Sequence, residues 1–188
     1  EAADAMTMIR EHAAEWHVDP DAIAVIGFSA GGHLAANLAT STSDDVLVAH
    51  GYDPDAVRPN GLMLAYPVIT SGPLAHRGSF DSLLGERRND SQALESVSIE
   101  RHIDAKTPPV FVWHTVPDET VPYENTLMLI DACKKAGVSI EAHLFPQGGH
   151  GLSLGTAETA WQGVNGIEPS IQIWPQLAVS WMRRTFAR

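Results

Sequence analysis

Residues 22–40 constrain this chain more than any other stretch. Ala22, Ile23, Ala24, Val25 and Ile26 form a short apolar run, Gly27-Phe28-Ser29-Ala30-Gly31 follows at once, and a helical pattern rich in small residues comes next. An apolar run of that length suits a strand buried on both faces of a parallel sheet. A serine between two glycines at the passage from strand to helix is the signature of a sharp reversal that lifts a side chain above the sheet. Such a turn strains the backbone at the serine and needs flanking residues without a Cβ, a requirement that Gly27 and Gly31 are expected to meet. Ala30, Ala35, Ala36 and Ala39 suit a helix packed closely on a sheet, and its first N–H groups would point to where Ser29 reacts. Ser29 is therefore the first candidate for a reactive residue.

The rest of the chain supplies a sheet to hold that turn. Residues 61–66, 110–114 and 140–145 are three further apolar runs, separated by enough chain for helical crossovers. Residues 122–136 form a helix with proline near its start, Lys134 and Lys135 near its end, and Gly137 as its stop. Trp174, Leu177, Trp181 and Met182 recur at helical spacing within 171–186, which predicts a closing helix with its tryptophans in the core. At the opening of the chain, Met6, Ile9, Ala13 and Trp16 share one helical face. Residues 67–107 contain no strand pattern; short helical patterns at 80–84, 92–95 and 98–102 make a cap over the strand ends one reading and a surface excursion the other. No repeat, low-complexity tract or linker divides the chain, so 188 residues read as one α/β domain with a mostly parallel sheet.

Composition narrows the partners. A formal net charge of -11 argues against nucleic acid or an anionic membrane surface, both of which reward clustered Lys and Arg, and favours a small neutral substrate. Cys133 is the single cysteine, so no internal disulfide forms, and its helical setting suggests a packed thiol. No apolar stretch reaches the roughly 18 to 20 residues that span a bilayer, and no signal-peptide pattern opens the chain, so the cytoplasm is the expected location. Glu1 is not an initiator methionine, and the helical pattern is already running there, so any upstream targeting sequence lies outside this reading. Nothing in the sequence signals an oligomeric state.

A serine hydroxyl is a poor nucleophile at neutral pH; it needs a base to take its proton and an acid to orient that base. His150 stands among glycines in Gln147-Gly148-Gly149-His150-Gly151, just past the fourth strand and at the carboxyl end of the sheet, where sites in open parallel sheets form. His143 falls within a strand, and His12 and His17 belong to the opening helix. Asp118 follows the third strand in His114-Thr115-Val116-Pro117-Asp118-Glu119-Thr120-Val121-Pro122, so it too stands at the carboxyl ends. Glu119 is its near competitor; Asp104 precedes the strand, and Asp131 lies on the following helix. Tyr66, Pro67 and Val121 lie at or just past strand ends, where they line a pocket or belong to core and turns. No HExxH or close His/Asp cluster suggests a metal, and no cofactor is expected.

Serine, aspartate and histidine in that order on successive strand ends, with one strand intervening, is the α/β-hydrolase order. On Gly27-Phe28-Ser29-Ala30-Gly31-Gly32-His33-Leu34-Ala35, Tyr66-Pro67-Val68-Ile69, the segment from His114 through Asp118 to Val121-Pro122, and Gly149-His150-Gly151, the chain resembles the carboxyl-terminal two-thirds of an α/β-hydrolase. It is most similar to bacterial esterases of the acetyl xylan esterase-like, BD-FAE-like group. The resemblance implies a three-layer fold, Ser29 as nucleophile, His150 as base, Asp118 as acid, and the Ala30 backbone N–H as one oxyanion donor. It implies hydrolysis of short acyl esters, often acetyl groups on sugars or xylo-oligosaccharides. Family members begin with further strands and an early His-Gly-Gly-like loop that gives a second oxyanion donor; no such motif precedes Ser29, and His50-Gly51-Tyr52 follows it. The expectation is a partial domain lacking the N-terminal strands, poorly active by itself because one oxyanion donor is worth about a hundred- to a thousandfold in rate. A serine peptidase of the prolyl-oligopeptidase type, or a non-catalytic binding domain if the natural chain starts at Glu1, remains an alternative.

Overall fold

The computed structural model describes residues 1–161 and 166–187. Its helices and strands run in the order α1 (Ala2–Glu11), β1 (Ala24–Phe28), α2 (Ala30–Ala39), α3 (Asp44–Ala49), α4 (Pro54–Val57), β2 (Gly61–Ala65), α5 (Arg77–Leu84), α6 (Ser91–Ser96), β3 (Val110–Thr115), α7 (Glu124–Ala136), β4 (Ile140–Phe145) and α8 (Trp174–Thr185). The strands pair in parallel in the order β1-β2-β3-β4, with Gly27 beside Leu64, Leu64 beside Val112, and Val112 beside Ala142. Each neighbour is the next strand in sequence, and because every pair is parallel all the carboxyl ends fall on the same edge.

Alternation along the strands divides the core between the two faces of this sheet. Leu62 and Leu64 of β2 and Val110 and Val112 of β3 pack under Ala35, Ala36 and Ala39 of α2 and Leu129 and Cys133 of α7. Met63, Ala65, Phe111 and Trp113 face the other way, onto Trp174, Ala178 and Trp181 of α8. Helices on both faces make a three-layer α/β sandwich. Burial pushes the Cys133 thiol up to about 12, so it stays a protonated, packed group. A third cluster joins Ala3 and Met6 of α1 to Ile23, Leu38 of α2, Leu47 of α3 and Val57 of α4.

The structure corrects several readings. β2 and β3 are buried along their whole length, whereas β1 is an edge strand whose Ile26 is 44% exposed. The apolar run marks a strand, but among the described residues β1 pairs with β2 alone, and the face that carries Ile26 is only partly covered. β1 also begins two residues later than the run and extends through Phe28 to the turn itself. The opening helix stops at Glu11, a turn follows, and His17 takes φ 56°, so helical spacing no longer carries Trp16 to the core. Trp16 is 45% exposed and meets His12 edge-on, while Met6 and Ala13 are buried. Helix α7 begins at Glu124 rather than Pro122 and ends on Gly137 in the left-handed region, as its glycine signal implied. Ile171 belongs to a short 3-10 turn ahead of α8, and Trp174 and Trp181 are core residues.

Residues 67–107 contain α5 and α6 and pack beside α2. Phe80 of α5 meets the ring of His33 edge-on at 5.4 Å, and Val97 O accepts a hydrogen bond from His33 Nε2 at 2.7 Å. Val68, Phe80 and Val121 form a buried cluster with Leu94 and Val97, so this segment is joined to the loop after β3 as well.

Leu64 is 1% exposed and lies in the core cluster shared with α2 and α7. Leu64→Ala is expected to lower the unfolding free energy by about 2–5 kcal/mol, read as a lower urea midpoint with an unchanged denaturant slope.

Candidate active site

Ser29 is the residue between β1 and α2, and its backbone is left-handed with φ 53° and ψ -121°. A non-glycine residue there costs of order 1–3 kcal/mol and persists only where the surroundings enforce it. Four hydrogen bonds do so. The Ser29 N–H donates to Ala65 O at 3.0 Å, and Ser29 O accepts from the N–H groups of Gly32, His33 and Val68 at 3.0, 3.3 and 3.2 Å. A serine opening a helix commonly caps it with its hydroxyl, but Ser29 makes no such side-chain cap. Its Oγ points instead to His150.

Gly27 is required by sterics, since a Cβ there would lie 2.2 Å from Gly31 O. Gly31, expected to supply the same clearance, does not: a Cβ on it would meet nothing within 4 Å. The second close approach belongs to Gly32, where a Cβ would stand 2.9 Å from Pro67 Cβ and 3.3 Å from Gly27 O. One helical residue further on, the backbone faces the sheet instead of solvent, which accounts for the shift.

Three residues foreseen from separate strand ends converge. Ser29 Oγ lies 2.7 Å from His150 Nε2, and His150 Nδ1 lies 2.7 Å from Asp118 Oδ2. The carboxylate partner puts the imidazole proton on Nδ1, so Nε2 offers its lone pair to the Ser29 hydroxyl. Asp118 Oδ1 accepts from the N–H groups of Thr120 and Val121, both at 2.9 Å. Burial works against the Asp118 charge, but hydrogen bonds from His114, His150 and the Val121 N–H outweigh it and hold the carboxyl well below the ordinary range. Glu119 is exposed, Asp104 precedes β3 at the far end of the sheet, and Asp131 pairs with Lys135 on the surface of α7.

The loop that carries His150 is tied down on both sides. Thr115 Oγ1 donates to Gly149 O at 3.1 Å, the Ser153 N–H donates to the Tyr66 hydroxyl at 3.1 Å, and Trp174 Nε1 donates to Ser153 O at 2.8 Å. Gly148 at φ 101° and Gly151 at φ 77° let the chain reverse around the histidine. The Tyr66 ring meets the His150 ring edge-on at 4.9 Å, and burial pushes the Tyr66 hydroxyl up, keeping it protonated. Tyr66, Pro67 and Val121 are all buried: Tyr66 buttresses His150, Pro67 abuts Gly32, and Val121 packs on Val68 and Phe80. Ala30 is exposed at the first position of α2, where its N–H and that of Gly31 have no partner within the helix. The macrodipole adds positive potential beside Ser29 Oγ.

Sequence reasoning left two contributors without a role. His114 is fully buried behind Asp118, and Thr115 clamps the histidine loop. The available signal for His114 was a titratable side chain at the end of an apolar strand that must be buried on both faces.

Two outcomes follow from this geometry. Gly27→Ala is expected to abolish labelling of Ser29 by a fluorophosphonate and to lower the melting temperature, while Gly31→Ala keeps both close to the parent values. Asp118, whose carboxyl sits below the usual 3.8, stabilises the fold above that pH and loses the contribution as pH falls through and below it. The stability gap between the parent and Asp118→Asn, measured by urea unfolding, is therefore expected to be widest near neutrality and to narrow below about pH 4.

Comparison with known proteins identifies the family of this chain. A family model described as BD-FAE matches residues 2–132, a span that holds Ser29 and Asp118. Endo-1,4-beta-xylanase B of Butyrivibrio fibrisolvens is 34% identical over 161 residues, covering 85% of this chain and 25% of that protein. An acetylxylan esterase of Xylanibacter ruminicola is 30% identical over 153 residues, covering 79% of this chain and 30% of that protein. Among solved structures, the acetyl ester-xyloside bifunctional hydrolase from Caldicellulosiruptor lactoaceticus superposes with a TM-score of 0.80 at 36% identity, over 97% of this chain and 64% of that one. The chain thus spans between 25% and 37% of the length of the curated relatives it matches. On the family match and the shared three-layer architecture, this chain belongs to the BD-FAE family and has the α/β-hydrolase fold.

Proposed function

We propose that this chain carries the reaction centre of a serine carboxylesterase acting on short acyl esters, with acetyl groups on xylose-containing sugars as the favoured substrate class. The observation that carries the reading is the unbroken hydrogen-bonded line from Ser29 Oγ through His150 to Asp118, built on a serine whose strained backbone holds its hydroxyl out of the helix. The acetylated-sugar class is supported by two similar proteins whose names specify acetyl ester or acetylxylan hydrolysis.

The reaction runs as acyl transfer to the serine and then to water. His150 Nε2 takes the Ser29 proton as Oγ attacks the ester carbonyl, and Asp118 stabilises the imidazolium that forms. The N–H of Ala30 donates to the developing oxyanion, aided by the amino-terminal end of α2. His150 then passes its proton to the leaving alcohol, and the acyl group remains on Ser29. A water deprotonated by His150 attacks the acyl-enzyme, and Ser29 leaves with its proton restored. Residues 67–107 pack on α2 through His33 and Phe80, which supports reading them as a cap over the strand ends.

The test uses the full-length protein with a fluorophosphonate probe, p-nitrophenyl acetate, acetylated xylo-oligosaccharides and proline-containing dipeptide amides. The expected result is Ser29-dependent labelling, turnover of both ester types, and loss of about 10⁴-fold or more in kcat for Ser29→Ala and His150→Ala. Labelling that survives Ser29→Ala, or full esterase activity in His150→Ala, overturns the mechanism. Turnover of the amides in preference to the esters overturns the substrate class.

A further inference from the structure

His114 has no part in the acyl-transfer steps, yet it touches their acid. It sits near the end of β3 with no exposed surface, and both ring nitrogens are engaged. Nε2 lies 3.0 Å from Val121 O, and Nδ1 lies 2.8 Å from Thr126 Oγ1 on α7. A carbonyl oxygen only accepts, so Nε2 carries the proton, and the Thr126 hydroxyl donates to the lone pair on Nδ1. This is the opposite tautomer to that of His150.

The same Nε2 is 3.3 Å from Asp118 Oδ2, the oxygen that accepts His150 Nδ1–H at 2.7 Å. Oδ2 therefore accepts His150 Nδ1–H and also stands beside His114 Nε2, whose one N–H is shared between Val121 O at 3.0 Å and this oxygen at 3.3 Å, while Oδ1 takes two backbone N–H groups from Thr120 and Val121. The backbone pair fixes Oδ1. His114 approaches Oδ2 from the β3 side and leaves His150 the other. Without a donor there, the whole charge on Oδ2 would fall on His150, and rotation of the carboxyl plane would meet one restraint fewer.

We propose that His114 is a positioning residue for the acyl-transfer reaction: held as its Nε2–H tautomer by Thr126 and Val121, it fixes Asp118 Oδ2 against His150 Nδ1. This rests on the Ser29-His150-Asp118 reading given above. It acts through Asp118 and touches neither Ser29 nor the substrate. Titratable groups facing the pair are few among the described residues: Asp118 itself, His150 from the loop after β4, and Tyr66 from the end of β2, which meets His150 edge-on.

His114→Phe keeps a ring in the cavity and removes the donor, and His114→Gln returns an N–H close to the Nε2 position. In the full-length protein, with p-nitrophenyl acetate as substrate, His114→Phe is expected to lose about tenfold in kcat with KM within about twofold, the scale of one hydrogen bond to a charged group. The acid limb of its kcat/KM profile is expected to move up by about half a pH unit, because Asp118 Oδ2 then keeps His150 as its one imidazole partner. His114→Gln is expected to recover most of both effects. Thr126→Val, which leaves the imidazole in place and frees its tautomer, gives the same direction with smaller amplitude, and it carries the test if His114→Phe does not fold. The downfield imidazole proton resonance of the His150–Asp118 hydrogen bond should shift in each variant that loses kcat.

Parent kcat and an unmoved acid limb in folded His114→Phe, or in Thr126→Val where the former does not fold, overturn the proposal. So does a His114→Gln protein that folds but recovers nothing. Ser29→Ala and His150→Ala in the same assay separate the two levels. If they retain turnover, the underlying mechanism fails; if they lose it while the His114 and Thr126 variants keep theirs, only the positioning role fails.

Discussion

The left-handed backbone at Ser29 is the constraint on which the rest of the site depends. Its φ of 53° is unfavourable for a residue with a side chain, and nothing in its own chemistry maintains it. The maintenance comes from β2 and its continuation: Ala65 O receives the Ser29 N–H, and the Val68 N–H returns a bond to Ser29 O. That exchange is possible only if β1 and β2 are in their observed register and the chain past β2 folds back toward α2. Gly27 and Gly32 then become obligatory, since α2 can start at Ala30 only by lying directly on β1 and on Pro67. Sheet pairing, crossover and helix start are thereby linked to one dihedral angle, and the position of Oγ follows from all of them.

The proposed base and acid are secured by a different device. Neither His150 nor Asp118 has a left-handed backbone; each is held by hydrogen bonds, His150 by donating to Asp118 and Asp118 by accepting from His150, Thr120 and Val121. Asp118 combines a buried carboxylate with enough N–H groups to keep it ionised, which is the condition under which burial of a charge is tolerated. His150 keeps partial access to solvent, with 18% of its side chain exposed, as the proposed exchange of a proton with leaving alcohol and water requires. The contrast is physical. A nucleophile needs direction, which strain and sterics give, whereas an acid–base pair needs fixed charge, which hydrogen bonds give.

This difference in device explains what the sequence revealed. The elbow was legible because steric necessity writes itself as glycine and serine at fixed spacing, and Asp118 and His150 were legible because loops past parallel strands share an edge of the sheet. The β4 run matched its strand end for end, since a β-branched start and a glycine-rich loop bound it clearly. What escaped had no local signature. That Gly32 and not Gly31 bears the close contact depends on where Pro67 arrives, 35 residues later in the chain. That Ile26 is exposed depends on which strands exist beside β1, and Trp16 left the core because a helix ended early. Tyr66, Pro67 and Val121 stood at strand ends, but their burial is set by the histidine loop, α2 and the segment around Phe80.

β2, which contributes no reacting side chain, is the element through which both halves of the site communicate. Tyr66 follows β2 immediately, as Ser29 follows β1, and the register places Phe28 beside Ala65, so the two residues stand next to each other at the same level of the sheet. Both are left-handed, Tyr66 at φ 39°, and both still pass their N–H to the next strand, Tyr66 to Trp113 O at 2.8 Å and Ser29 to Ala65 O at 3.0 Å. Two adjacent strands therefore bend away together without losing a rung of the ladder. The bend at Tyr66 turns Pro67 under α2 and sets the phenol against His150 and the Ser153 N–H. Strain at Tyr66 thus supports the nucleophile from one side and the base from the other, which gives an aromatic residue with a hydrogen-bonding tip a physical reason to occupy a position where glycine would relieve the backbone.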